Sequence, residues 1–336
     1  MPFREIAGHQ HLKELIAGAA LRGTLPPSLI FAGPSGVGKA MMALALAQLV
    51  NCPVPSGEDG VAADGCGECA SCRRIARGVH ADVLRIEPGD TGSIKIEQIR
   101  EAIERSAYRP FEGRRRVVII DRAEQMGANA QDAILKTLEE PPNASTFILV
   151  TDTPDTLLPT IRSRCQRLRF GRLSPADVAQ VLINRHEYDE ADAHAAASLS
   201  DGSIGKALEG GSEDFVEARN AALQLLETVA DHPPPARRIM GAMNLPGATK
   251  GKADRDALGQ SLRALASILR DLGALGAQAD DRALANADLR PRLERLLRGF
   301  DGDRTLRAFG AVDRALNALD RNASPKIVAD WLSFQI

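Results

Sequence analysis

The pattern of apolar runs along this 336-residue chain predicts a parallel α/β domain of about five strands, followed by a remainder built of helices. Three observations carry that reading. Strand-like and helix-like stretches alternate from Ser28 to Phe170. A glycine-rich turn, Gly33-Pro34-Ser35-Gly36-Val37-Gly38 followed by Lys39, joins the first apolar strand to an alanine-rich helix. Beyond Gly171 the strand signal stops, and leucines at helical spacing take over.

The turn matches the phosphate-loop pattern GxxxxGK[ST] at every position but the last. Its glycines let backbone amides turn toward a phosphate, and the helix N-terminus behind them favours the same anion. Gly33, Ser35, Gly36, Gly38 and Lys39 are the candidate nucleotide contacts, with Lys39 reaching the outer phosphates. The last position should supply a hydroxyl for magnesium, and Ala40 stands there. Such a site is expected to bind ATP or ADP weakly and to hydrolyse it inefficiently or not at all.

Length and composition bound the rest. The chain is long enough for two or three domains, and 44% apolar residues supply ordinary cores. A formal charge of -2 excludes a uniformly basic protein that coats nucleic acid. With 34 arginines against 8 lysines, many side chains suit phosphate or carboxylate. No stretch approaches the roughly eighteen unbroken apolar residues of a membrane span, and the N-terminus MPFREIAGHQ lacks an apolar signal region, so the cytoplasm is the expected compartment, without membrane contact.

Taken in order, a helix is predicted from Gln10 to Leu21, after a Gly8-His9 turn and before Leu25-Pro26-Pro27. The first strand is Ser28 to Ala32, and the helix from Ala40 to Val50, apolar on most sides, packs on the sheet. A loop-rich insertion follows, from about residue 51 to 80, carrying Cys52, Cys66, Cys69 and Cys72. Their spacing, C-x13-C-x2-C-x2-C, can give four thiolates a tetrahedral zinc geometry. The alternative is unligated thiols in a surface loop, which explains the close repeat less well in a reducing compartment. No open ligand position is implied, so the zinc would be structural, fastening an excursion too short for its own core.

His80 to Ile86 reads as the next strand and Ile94 to Tyr108 as a helix with Ile96, Ile99 and Ile103 on one face. Arg116 to Asp121 is the strongest strand signal, and it ends in a carboxylate at the edge where ligands sit in open α/β sheets. Asp121 is thus a candidate magnesium-directing acid. A second acid would be expected beside it to orient water, but the residue is Arg122, and Glu124 lies in a different direction. A helix from Ala128 to Glu140 is closed by Pro141-Pro142, and Thr146 to Thr151 is a further strand. Thr151 either senses an outer phosphate or caps a turn. A short strand, Gln166 to Phe170, completes the domain.

In the helical remainder Ser174-Pro175-Ala176-Asp177 is a helix start, with Ser174 as N-cap and Pro175 at the first position. Three helices are expected to about residue 212. From Phe215 to Ile336 about five more follow, with Pro233-Pro234-Pro235 as a turn or hinge. Leu258, Leu262, Leu265, Leu269 and Leu272 form one stripe, and Leu289, Leu293, Leu296 and Leu297 another. Both are too short for a coiled coil and read as intramolecular core.

The phosphate loop, the cysteine insertion, Asp121, Leu135-Lys136-Thr137-Leu138-Glu139-Glu140-Pro141-Pro142 and Ser163-Arg164-Cys165 together closely resemble the bacterial DNA polymerase III clamp-loader subunits. The resemblance runs from about Phe3 to Gly210; beyond that only helical character and length match. It implies an AAA+ α/β module with a zinc insertion (1–170, insertion 51–80), a three-helix lid (171–212) and a helical collar for oligomerisation (213–336).

Within that family the motor gamma/tau subunits should carry Ser or Thr after the loop lysine, an Asp-Glu pair, and an arginine in the lid helix beginning Gly-Ser. Ala40, Arg122 and Gly205 stand at those places, and Lys206 is one residue, about 100°, away from the last. The stretch Leu157 to Cys165 looks like the delta-prime form, and the chain ends without a long tau-like extension. The resemblance therefore implies a non-motor delta-prime type subunit of the polymerase holoenzyme, with gamma/tau and delta partners in a hetero-pentamer. Arg164 is then an arginine finger supplied in trans to ATP on the adjoining gamma/tau subunit; its alternative is a surface arginine at a strand start. Arg162 is either paired with an acid or exposed. The sliding clamp and primer-template DNA would be met through the assembled ring, with Lys95, Arg100 and Arg105 as candidates for the inner face. The competing expectation is an ATP-hydrolysing gamma/tau-type subunit with diverged motifs.

Overall fold

Five short apolar runs pair into one parallel sheet, which the computed structural model orders β2-β3-β4-β1-β5. The structure describes residues 2–56, 63–89, 92–209, 212–231, 233–248, 252–279, 284–321 and 323–336; residues 57–62 of the predicted insertion lie outside these. The chain divides between Leu173 and Ser174 into two compact units.

In the first unit the elements run α1 (Gln10–Leu21), β1 (Ser28–Ala32), α2 (Lys39–Asn51), α3 (Ala70–Ala76), β2 (Val83–Ile86), α4 (Ile96–Ala107), β3 (Arg116–Ile120), α5 (Ala128–Glu139), β4 (Ser145–Thr151), α6 (Pro159–Arg164) and β5 (Gln166–Arg169). Strands β1, β3 and β4 are buried along their whole length, because helices cover both faces of a parallel sheet. Alternate residues serve the two faces. Leu29, Phe31, Val117 and Ile119 pack toward the cluster with Met42 and Leu46 of α2, while Ile30, Val118 and Ile120 join Ile99 of α4 and Ile134 of α5. The five parallel strands, with the glycine turn after β1, form the parallel α/β domain expected from the sequence. Residues at the C-terminal ends of β1, β3 and β4, three neighbouring strands, meet on one edge.

Strand β2 starts at Val83, not at His80. The Asp82 carboxylate is taken up by the N–H groups of Phe111, Glu112 and Gly113, and His80 Nδ1 accepts the Asp82 N–H at 3.1 Å. These bonds hold the turn that leads into β2, and the Asp82 carbonyl accepts the Val117 N–H of β3 at 2.8 Å.

The second unit contains α7 (Pro175–His186), α8 (Glu190–Leu199), α9 (Ile204–Glu209), α10 (Ser212–Ala230), α11 (Pro235–Met243), α12 (Lys252–Gly276), α13 (Arg290–Leu296), α14 (Gly302–Asp320) and α15 (Pro325–Gln335). The start of α7 is capped as its sequence predicts: Ser174 Oγ accepts the Asp177 N–H at 3.1 Å, with Pro175 in the first turn. The predicted lid and collar share one unit, since α8 packs on α7, α10 and α12. From Ser212 onward the described residues hold six helices against about five expected. The proline run opens the added one, with Pro235 at the first position of α11. Leu258, Leu262, Leu265, Leu269 and Leu272 are all buried inside the unit, as are Leu293 and Leu296 of the second stripe. Asp271, also fully buried, accepts N–H bonds from Ala285 and Asn286 and anchors the approach to α13.

Candidate nucleotide and metal sites

The phosphate loop is held by packing before any ligand is considered. The Gly33 N–H donates to Thr151 O at 3.2 Å, tying the turn to the end of β4. A Cβ on Gly33 would stand 2.3 Å from Phe170 O, so the close approach to the end of β5 requires glycine. Gly36 and Gly38 take φ of 72° and 97°, the left-handed region. His9 Nε2 lies 2.9 Å from Val37 O, to which it donates, and steadies the turn from outside. Ser35 and Gly36 are exposed at its tip.

Lys39 opens α2 and is almost wholly buried, at 5% exposure. Its Nζ donates to Gly33 O at 2.8 Å, Pro34 O at 2.6 Å and Asp152 Oδ1 at 2.6 Å. The methyl of Ala40 follows it on the helix and offers no oxygen to a cation. Thr151, at the end of β4, is buried; its Oγ1 accepts the Thr153 N–H at 3.2 Å, the turn-capping bond.

Asp121 follows the last residue of β3. Its Oδ1 accepts the Arg122 N–H at 3.0 Å and its Oδ2 the Arg85 guanidinium at 2.8 Å, and Arg85 also pairs with Glu87 at 2.6 Å. Arg122 has φ of 53° and an exposed side chain, so the residue after Asp121 turns the backbone and supplies no acid. Glu124 sits in the short helical turn Ala123–Gln125 beyond it.

Arg164 ends α6, and its residue is exposed. Its guanidinium bonds to Thr160 O at 2.9 Å and to the Glu139 carboxylate at the end of α5. Arg162 pairs with Asp155 at 2.6 Å. Cys165, next in the chain, turns inward into the core, and burial pushes its thiol up to about 12. Lys95, Arg100 and Arg105, before or along α4, are exposed, with Arg105 3.6 Å from Glu101.

The four insertion cysteines converge. Their sulfurs all lie within 4.8 Å of one another, with Cys66 Sγ and Cys72 Sγ 3.9 Å apart. Zinc–sulfur bonds of about 2.3 Å in a tetrahedron put sulfurs about 3.8 Å apart, so this set fits such an ion. N–H groups already point at the sulfurs: Cys69 N–H to Cys66 Sγ at 3.3 Å and Cys72 N–H to Cys69 Sγ at 3.4 Å. The Cys69 N–H, with smaller contributions from its neighbours, brings the Cys66 thiol down to about 7 despite some burial. Burial pushes Cys52 and Cys72 the other way, so a bound cation would have to displace a proton from each of these thiols.

Hydrogen bonds between α2 and α3 fasten this insertion. Gln48 Nε2 donates to Cys72 O at 2.8 Å, and Ser71 Oγ donates to Asn51 O at 3.2 Å. Asn51 Oδ1 in turn accepts the N–H groups of Arg114 and Arg115 at 2.9 and 3.0 Å. Beside it Asp82 is fully buried and pairs with Arg116 at 2.9 Å. Burial alone would raise its carboxyl, but the N–H groups of Glu112, Phe111 and Gly113 and the Arg116 guanidinium hold it at about 2.

The structure thus gathers Gly33, Ser35, Gly36, Gly38, Lys39, Asp121 and Thr151 on one edge of the sheet and the four cysteines in one cluster. Sequence reasoning did not single out Asp152, Arg85, Asp82 or Glu139. For Asp152 a signal was present: an acid directly after Thr151 falls at the same strand edge as the loop.

Comparison with known proteins bears on the same region. Residues 8–174 match the sequence family described as DNA polymerase III, delta subunit. DNA polymerase III subunit tau of Escherichia coli (strain K12) is 33% identical over 66% of this chain and 33% of its own length. Subunit tau of Bacillus subtilis (strain 168) is 31% identical over 61% of this chain and 36% of its own. DNA polymerase III subunit gamma of Buchnera aphidicola subsp. Acyrthosiphon pisum is 31% identical over 54% of this chain and 48% of its own. The chain therefore spans about a third to a half of the length of these relatives.

Proposed function

We propose, starting from an α/β unit related to the DNA polymerase III gamma and tau subunits and matching the delta-subunit family, that this chain is a non-motor, delta-prime type clamp-loader subunit. In this reading it completes a hetero-pentamer with gamma/tau and delta subunits in the cytoplasm, and the ring loads the sliding clamp on primed DNA. The observation that carries the reading is the pairing of an intact phosphate cradle with missing hydrolytic groups. Ala40 follows Lys39, Arg122 turns away after Asp121, and the charged groups that remain are engaged within the chain. ATP or ADP would be held by Lys39 and the loop amides without efficient turnover.

Arg164 is the residue assigned to catalysis in trans. Its place at the exposed end of α6 suits a guanidinium offered to a neighbour's transferring phosphoryl group, where it would offset developing charge. Such fingers are worth about 10³ to 10⁵ in rate in well-studied GTPases. An exposed face on α15 supports assembly: Ile327, Trp331 and Phe334, at i, i+4 and i+7, stay partly or largely open to solvent. Cys52, Cys66, Cys69 and Cys72 would hold a structural zinc ion, which fastens the insertion and takes no part in the chemistry.

The deciding experiment is ATPase of the reconstituted ring with Arg164→Ala in this chain. Ring assembly should persist while ATPase and clamp loading fall at least tenfold; unchanged ATPase removes the role. Metal analysis of the reduced protein should find one zinc per chain, lost in Cys66→Ser/Cys69→Ser. A second reading, an ATP-hydrolysing subunit with diverged motifs, is favoured by relatives that carry the gamma and tau names. Turnover by the isolated chain, abolished by Lys39→Ala, would establish it instead.

A further inference from the structure

Both charged positions of the phosphate-loop edge are already neutralised from within the chain. Lys39, the cation that would meet an outer phosphate, lies 2.6 Å from the Asp152 carboxylate, and its remaining donors go to Gly33 O and Pro34 O. Asp121, the acid that would meet a divalent cation, lies 2.8 Å from the Arg85 guanidinium and accepts the Arg122 N–H with its other oxygen. The two pairs stand at the C-terminal ends of neighbouring strands, β4 and β3, beside the loop that follows β1.

We propose that Asp152 and Arg85 are built-in counter-ions that take the charge positions of a nucleotide's outer phosphate and its divalent cation, so that the chain itself determines how poorly a nucleoside triphosphate binds at this loop. This goes beyond the clamp-loader reading and does not depend on Arg164, because it concerns binding by the isolated chain.

Three features favour it. The two ends of each pair differ in exposure: the Lys39 side chain is 4% exposed and that of Asp152 35%, while Asp121 is 15% exposed and Arg85 39%. The loop-edge groups are thus fixed and their counter-ions sit outward, where an incoming ligand would stand. Arg85 keeps Glu87 as a partner when it leaves Asp121, so release of the acid strands no charge. Asp152 has the opposite effect on a ligand. A carboxylate beside Lys39 repels a phosphate that approaches the same ammonium, and moving away costs Lys39 a charge-assisted bond. With Ala40 contributing no oxygen and Asp121 held by Arg85, a shared cation has fewer ligands with which to offset that repulsion.

The test uses the full chain and a fluorescent ATP analogue, titrated by anisotropy with and without magnesium. Asp152→Asn, which keeps size and loses charge, should bind the analogue at least about tenfold tighter than the parent without magnesium. Asp152→Glu should stay as weak as the parent. Arg85→Gln in the Asp152→Asn background should add a gain of about threefold or more that appears only with magnesium. Lys39→Ala should cancel the Asp152→Asn gain. Thermal melts identify any variant that fails to fold, and Asp152→Ala then stands in for Asp152→Asn. The proposal is overturned if neutral residues at 152 bind no tighter than the parent, if Asp152→Glu gains equally, or if the gain survives Lys39→Ala. A magnesium-independent effect of Arg85→Gln overturns the part assigned to Arg85.

Discussion

Two aspartates on neighbouring strands show how differently one side chain can be used at the two ends of a sheet. Asp82 precedes β2 and is fully buried; its carboxylate takes three backbone N–H bonds and the guanidinium of Arg116, whose side chain is 9% exposed. Asp121 follows β3, is partly open, and meets one backbone N–H and one guanidinium that is 39% exposed. Asp82 is committed to the fold, since its N–H partners form the loop it holds and Arg116 is the first residue of β3. Asp121 is paired with a group that has somewhere else to go. The lesson is that depth and number of backbone partners, more than charge type, separate a structural acid from one facing a ligand. The same contrast separates the Asn51 and Asp82 network around the insertion from the Lys39–Asp152 pair at the phosphate loop.

The largest effect is expected at Asp82. Asp82→Asn leaves Arg116 buried without its counter-charge and gives the three N–H groups a weaker acceptor, so stability should fall by about 3–5 kcal/mol in urea denaturation. The pH dependence gives an independent check. A carboxyl held at about 2 in the fold, against about 3.9 when unfolded, stabilises the protein above pH 4. That stability is lost as pH falls from about 4 through about 2. The slope of stability against pH in this window should be shallower in Asp82→Asn than in the parent; equal slopes would show that Asp82 is not the group responsible.

A smaller loss is expected at Gly33, at the opposite edge. Its missing Cβ makes room for Phe170 O, so Gly33→Ala must push the loop away from β5. Overpacking of this kind costs about 1–3 kcal/mol. The position is thus held by packing as well as by its candidate contact with phosphate. A melt unchanged from the parent would return Gly33 to a purely ligand-directed role.

Much of this was legible before the structure, and the boundary of what was legible has a physical reason. Buried parallel strands announce themselves as apolar runs, so β1, β3 and β4 fell within a residue of their predicted ends. Ser174 and Asp177 marked the start of α7 through a local hydrogen bond, and the close cysteine spacing marked a cluster. What could not be read were partners remote in sequence. Lys39 and Asp152 are 113 residues apart, Asn51 and Arg114 are 63, and Arg164 and Glu139 are 25. Residue types announce that charges exist, but only the sheet order decides which of them meet. The late start of β2 has the same origin, because Asp82 finds its acceptor role some thirty residues downstream.

Asp121→Asn completes the comparison and should have the smallest effect on stability. Arg85 is more than a third exposed and keeps Glu87, so the lost pair is a surface ion pair, worth about 0–1 kcal/mol. An asparagine oxygen still accepts the Arg122 N–H, and the left-handed turn at Arg122 should persist. The melting temperature should therefore stay within a few degrees of the parent, in contrast to Asp82→Asn. High salt, which screens exposed pairs, should shrink the remaining difference at Asp121 and leave that at Asp82 nearly intact. Should Asp121→Asn destabilise as strongly as Asp82→Asn, the acid at the end of β3 is structural, and its candidacy for directing a divalent cation falls with it.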